Sequence, residues 1–204
     1  ESATLHPLQS LADLLTIQEH WFGSNKHFAH INNSIENFND QQLQTPNPQR
    51  QTSKPKIVLS WAPHVKALPQ CVANSFAQWI TAWGEADFVV THPKGFELKE
   101  EFTQGATIIH DQQEALQGAN FVYVKNWSAY QEYGKILSGH EEWMLTPKHL
   151  AQTNDATVMH CLPVRRNVEL SDEVLDGPHA IVTQQAGNRV WAAQAVLYQL
   201  LKTI

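Results

Sequence analysis

At 204 residues the chain can bury a real core, as one domain or slightly more. Its 42% hydrophobic and 17% charged residues exclude a disordered chain, and a net charge of −6 with no basic stripe argues against general nucleic-acid binding. No apolar run approaches membrane-spanning length and no signal-peptide pattern opens the sequence, so a cytoplasmic protein with no membrane contact is expected.

The first pattern in chain order is Glu1-Ser2-Ala3-Thr4-Leu5-His6-Pro7-Leu8-Gln9, followed by Ser10 through Thr16. Pro7 suits the first turn of a helix, where its missing N–H costs nothing. His6 and Gln9, one turn apart, then emerge on one edge. Leu8, Leu11, Leu15 and Ala12 are expected as the opposite, buried stripe. Residues 23–53 are rich in Asn, Gln, Ser and Pro, with few large apolar groups. Such a stretch cannot bury enough surface to offset its ordering entropy, and it is read as a flexible polar insertion.

From residue 54 onward strands alternate with helices. Strands are expected at 56–61, 86–90, 106–109, 120–124 and 157–160, with a sixth at 180–182. Helices are expected at 68–83, stopped by Gly84, at 112–116, capped by Asp111 and stopped by Gly118, and at 188–202. The last places Val190, Ala193, Val196, Leu197 and Leu200 on one side. This alternation implies an α/β fold, a Rossmann-like parallel sheet in a single domain with helices on both faces. No Gly-x-Gly-x-x-Gly follows the first strand, which disfavours a nucleotide site.

Met159-His160-Cys161-Leu162-Pro163-Val164-Arg165-Arg166-Asn167 is the densest chemical segment. It reads as a strand end opening into a loop, the place where α/β proteins bind ligands. Its thiol, imidazole and two guanidiniums suit an anionic or carbonyl-bearing substrate. Taken singly, Cys161 reads as a small core residue and the paired arginines as a solvated face. Cys161 and Cys71 form no disulfide framework, and free thiols are expected. The eleven histidines show no paired metal-ligand spacing, so neither a metal nor a cofactor is expected.

His-Pro-x-Gln within its leucine pattern and His-Cys-Leu-Pro far downstream form a specific pair. Together they make the chain resemble the aspartate/ornithine carbamoyltransferases, from Glu1 to about Ile204 with residues 23–53 interrupting. At Tyr123-Val124-Lys125-Asn126-Trp127, Lys125 stands where ornithine enzymes of the family usually carry an acid that grips the free α-amino group. A cation there repels a free α-ammonium and suits an acylated, neutral nitrogen beside a carboxylate. The resemblance therefore points to the N-acylornithine branch. The segments Ser60–His64, Thr91–Phe96 and His160–Asn167 favour the N-succinyl over the N-acetyl form.

What the resemblance implies is carbamoyl transfer from carbamoyl phosphate to the δ-amine of the N-acylornithine, in arginine biosynthesis. It assigns His6, Gln9, Cys161, the Leu162 carbonyl and Arg189, at a helix start, to the carbamoyl group. It assigns Glu1, Lys125, Cys161 and Arg165 to the acylornithine. His6, Cys161 and Arg189 are then the catalytic set, with Cys161 beside the attacking amine rather than a nucleophile. A homotrimer with shared sites is the implied assembly. The family's Ser-x-Arg-Thr-Arg phosphate loop is absent from this sequence, so residues 1–22 are read as the linking helix and 54–204 as the amino-acid-binding domain. A non-catalytic binding or assembly module, and a nucleotide- or sugar-nucleotide-binding α/β domain, remain open at this point.

Overall fold

The computed structural model describes residues 2–23, 53–136 and 138–202. Glu1 and most of the 23–53 segment lie outside the described residues. In chain order the elements are α1 (Pro7–Phe22), β1 (Lys56–Trp61), α2 (Cys71–Trp83), β2 (Asp87–Thr91), α3 (Glu100–Thr103), β3 (Thr107–Ile109), α4 (Gln112–Leu116), β4 (Phe121–Lys125), α5 (Pro147–Leu150), β5 (Thr157–Met159), α6 (Asp172–Leu175) and α7 (Val182–Lys202). A single 3-10 turn, Glu141–Trp143, precedes α5.

All strand pairs are parallel, in the order β3-β2-β1-β4-β5. β1 and β4 sit in the middle with continuous apolar runs, as a sheet covered on both faces requires. Alternate side chains feed two cores. Ile57, Leu59, Phe121, Tyr123 and Met159 pack with Phe76 and Ile80 of α2 and Ile17 of α1. Val58, Val122, Val124 and Val158 pack with Ala115 and Leu116 of α4 and Val174 of α6 on the other face. The expected covered parallel sheet is therefore observed.

Local signals explain the element ends. Asp111 accepts from the backbone N–H groups of Gln113 and Glu114 at 2.9 and 3.1 Å, which caps α4. Gly84 closes α2 in the left-handed region, its N–H donating to the Ile80 carbonyl. That helix begins at Cys71 rather than 68, because Leu68 is held elsewhere: its carbonyl accepts from Ser128 N–H at 2.9 Å.

Three expectations are corrected. Residues 180–182 form no sixth strand; only one bridge links Ala180 to Val158. The next donor of that edge, His160 N–H, goes to the Gln185 side chain at 2.9 Å, so the ladder stops and the helix begins. α7 accordingly starts at Val182, six residues early, and Arg189 lies inside it rather than at its start. Finally, the buried residues of α1 are Gln9, Ser10, Ala12, Asp13, Thr16 and Ile17; of the expected stripe only Ala12 is among them, and the leucines are half-buried. The reason is the neighbour: α1 packs along α7 through Gln185 and Asn188, a polar seam. The apolar side of α7 faces outward, with Val190, Trp191, Val196 and Leu197 exposed. Among the described residues no helix is long and apolar enough to cross a membrane.

Candidate active site

Sheet order reverses direction between β1 and β4, and a cleft of about 660 Å³ opens beyond the carboxyl ends of the strands there. This is the switch point at which α/β sheets bind ligands. Each wall comes from a different strand end or helix. His6 and Gln9 come from the start of α1, His64 and Lys66 from the loop after β1, Lys125 from the end of β4, Cys161 to Arg165 from the loop after β5, and Arg189 from α7. Every expected site residue within the described set, namely His6, Gln9, Lys125, Cys161, Leu162, Arg165 and Arg189, lines this one cleft. Glu1 lies outside the described residues.

The cleft is cationic. Lys66, Lys125, Arg165 and Arg189 line it, and among the described residues no Asp or Glu does. Lys125 is only 7% exposed, and among the described residues no carboxylate forms an ion pair with it. A buried cation in that state is costly until an anion reaches it. The two guanidiniums of the 159–167 segment have parted. Arg165 faces the cleft, while Arg166 turns outward, taking Asp176 in a two-pronged bond and Asp172 at 2.9 Å.

The loop after β5 is held by buried struts. The Nδ1 of His160 accepts from Leu162 N–H at 3.0 Å, which leaves Nε2 to carry the proton and donate to Glu169 at 3.1 Å. The other Glu169 oxygen accepts from Arg165 N–H at 2.9 Å. Burial works to raise the Glu169 pKa, but the bond from His160, with Lys125 and the Arg165 amide, brings it below the usual value. Burial, only partly opposed by Glu169, lowers that of His160, so the imidazole is a neutral strut. Leu162 sits at φ +50, a left-handed conformation rare for a branched side chain, immediately before Pro163. Backbone held that way marks a site over-determined by its surroundings.

Sequence reading missed the hub beneath the cleft. Asp13 is fully buried, and one oxygen accepts from both Gln9 Nε2 at 2.8 Å and Gln185 Nε2 at 2.6 Å. Those bonds fix both amides: Gln9 turns its carbonyl oxygen away from Asp13, and Gln185 spends its own on His160 N–H. The Tyr123 hydroxyl faces both Asp13 and the Cys161 thiol, and completes a well-aligned bond to neither. Burial raises the Asp13 pKa to about 7, against the bonds from Gln185 and Gln9 and the charge of Arg189. Burial also pushes the Cys161 thiol up, so it is a thiol rather than a thiolate near neutral pH. The signal that could have revealed Asp13 is its spacing: an acid four residues after Gln9 shares its helix face.

Known proteins resemble this arrangement along its length. Residues 70–200 match the model of the family "Aspartate/ornithine carbamoyltransferase, Asp/Orn binding domain". The chain is 43% identical to N-succinylornithine carbamoyltransferase of Bacteroides thetaiotaomicron over 204 residues, 99% of this chain and 55% of that protein. It is 29% identical to N-acetylornithine carbamoyltransferase of Xylella fastidiosa over 212 residues, 96% of this chain and 55% of that protein. A mutant of N-acetyl-L-ornithine transcarbamylase complexed with carbamyl phosphate and N-succinyl-L-norvaline superimposes with a TM-score of 0.74 at 28% identity, covering 97% of this chain and 56% of that one. The chain thus spans about half the length of the relatives it matches. With its matched domain, switch-point cleft and near-complete coverage by a relative 43% identical, the chain belongs to the aspartate/ornithine carbamoyltransferase family.

Proposed function

We propose that the protein carrying this chain transfers the carbamoyl group of carbamoyl phosphate to the δ-amine of N-succinyl-L-ornithine, with this chain supplying the amino-acid-binding half. The observation that carries the reading is the cleft lined, among the described residues, by four cations and no acid, with the buried Lys125 among them. Both proposed substrates are anionic. The N-succinylornithine relative at 43% identity, against 29% for the N-acetylornithine relative, supports succinyl over acetyl.

The geometry supports a role for each of these groups in the proposed reaction. The amine attacks the carbamoyl carbon, negative charge builds on the carbonyl oxygen, and phosphate leaves. His6 and Arg189 stand on the cleft wall as donors toward that oxygen. The Gln9 carbonyl, freed by the Asp13 bond to its amide nitrogen, and the Leu162 carbonyl are acceptors for the carbamoyl NH2. Lys125 and Arg165 take the carboxylate end of the acylornithine, and Glu1 is assigned there by resemblance. Cys161, a neutral thiol, lines the approach of the amine without forming a bond to carbon. A homotrimer with shared sites, working in the cytoplasm on the route to arginine, completes the proposal. Light scattering of the full-length protein tests the assembly.

Selectivity is the decisive test. A free α-ammonium at contact distance from Lys125 meets a repulsion of about 4 kcal/mol at an effective dielectric near 20. Allowing for screening, free ornithine should show a kcat/KM at least about tenfold below N-succinylornithine in the full-length protein. Comparable values for the two would sink the N-acylornithine reading. The 204-residue chain alone should form no acylcitrulline above background, because no Arg-rich phosphate loop stands among its residues. Robust product from it would reveal a phosphate site within the cleft.

A further inference from the structure

We propose that His92, Glu97 and His110 form a binding site for a divalent transition-metal ion, zinc in the first place, on the carboxyl edge of β2 and β3. None of the three lines the active-site cleft, and the inference does not depend on the proposed reaction.

The fold brings them together by strand register. Thr91 of β2 pairs with Ile109 of β3, so His92 and His110, each one residue beyond its strand, stand side by side. Their rings lie 4.9 Å apart at 78°. A turn then returns the chain: Phe96 N–H donates to the Pro93 carbonyl at 3.2 Å, with Gly95 at φ +94. Gly95 N–H donates to one Glu97 oxygen at 2.9 Å, aiming that carboxylate back at the histidines. One ligand atom from each residue lies within 4.8 Å of the other two.

The hydrogen bonds also prepare the ligands. His92 Nδ1 meets the Pro93 carbonyl at 2.8 Å, and His110 Nδ1 meets the His92 carbonyl at 3.1 Å. A carbonyl only accepts, so both Nδ1 atoms carry the proton and both Nε2 lone pairs are left for another partner. A backbone carbonyl on the far nitrogen is the support that metal-bound histidines ordinarily have. Two imidazoles and a carboxylate suit zinc, with a fourth position left for water. Bonds of about 2.1 Å in a tetrahedron set ligands about 3.4 Å apart. The trio must therefore draw in, which Glu97 and His110 can do because both are exposed while His92 is buried. The expectation of no metal rested on spacing along the chain, and two strand ends and a turn leave no such spacing.

A bound ion would staple the 92–97 turn to the short edge strand β3. That turn matters to its neighbours. The Phe96 ring packs on Trp61 at 4.6 Å, and the Phe96 carbonyl accepts from Trp127 Nε1 at 2.7 Å, two residues beyond Lys125.

The test titrates metal-free full-length protein with Zn2+ by calorimetry against a competing chelator, and with Co2+ by absorption. The expected result is one ion per chain at a site weakened at least about tenfold by Glu97→Gln and by His110→Asn, since even outer partners of metal ligands contribute that much. Both positions are exposed, so these variants should keep the fold. Co2+ should give visible ligand-field bands without a near-ultraviolet thiolate band, and Cys161→Ser should leave binding unchanged. Absence of Zn2+ binding would overturn the proposal. So would binding indifferent to both variants, or a thiolate band abolished by Cys161→Ser, which would place the ion in the cleft.

Discussion

His6→Ala in the full-length protein should lower kcat by about 10²-fold or more, the usual loss on removing one donor aimed at developing negative charge. The side chain stands at the mouth of α1, where His6 N–H donates to the Ser75 hydroxyl at 2.7 Å and ties this donor to α2. That bond involves the backbone, so the variant keeps it. Cys161→Ser should cost much less. Burial keeps the thiol protonated, and the serine hydroxyl would face the same Tyr123 hydroxyl. Steady-state kinetics of the two variants with both substrates varied gives the comparison. Loss of turnover in Cys161→Ser with His6→Ala unaffected would reverse the two assignments.

The second large effect is on stability, at Asp13. Its carboxyl is raised in the folded protein from 3.8 to about 7, with burial the first cause. A raised acid stabilises the fold fully below its unfolded pKa, and that contribution is lost as pH climbs toward the folded value. Between about pH 4 and pH 7 the wild type should therefore lose stability on the order of 4 kcal/mol through this one group. Asp13→Asn keeps an oxygen for Gln9 and Gln185 but cannot ionise. Its unfolding midpoint should gain on the wild type between pH 5 and pH 8 and then level off. Asp13→Ala instead strands two buried amides, each at about 1–3 kcal/mol, and should be destabilised even at pH 5. Urea unfolding of this domain at the two pH values reads both variants. A constant gap between Asp13→Asn and wild type would mean that Asp13 does not titrate in this range.

An ionisable group that weakens the fold above neutral pH is the sort of residue kept for its position rather than for stability. Here that position is under Gln9 and Gln185, and through Gln185 under the backbone of His160.

The sequence was informative where chemistry is carried by short motifs on strand ends. The His6/Gln9 and Cys161–Arg165 motifs stood out as a pair, Lys125 through the resemblance that pair carries, and the parallel sheet then placed them around one cleft. Apolar runs and turn residues likewise located β1 to β5 and the caps at Asp111 and Gly84. What stayed hidden depends on packing between distant segments. The leucines of α1 suggested the wrong buried face because the partner of that helix, α7, presents Gln185 and Asn188 rather than an apolar surface. Ile181 and Val182 read as a strand by composition, yet the Gln185 side chain takes the donor a strand would have needed. The His92, Glu97 and His110 trio is invisible along the chain because it exists only in the register of β2 with β3.

The polar seam between α1 and α7 also dictates an order of events in folding. Its bonds join residues 172 positions apart, whereas β1, β2 and β3 pair as near neighbours in sequence. Closing so long a loop carries a larger entropic cost than pairing nearby strands, and contacts of that separation form late. The sheet can therefore assemble while the cleft is still open, with Gln9 and Asp13 on one side and Gln185 and Arg189 on the other. Only when the final helix docks do the two halves of the binding wall meet. An intermediate stalled before that step would look native by its strands and yet bind nothing, and hydrogen exchange would find its last protected amides in α7.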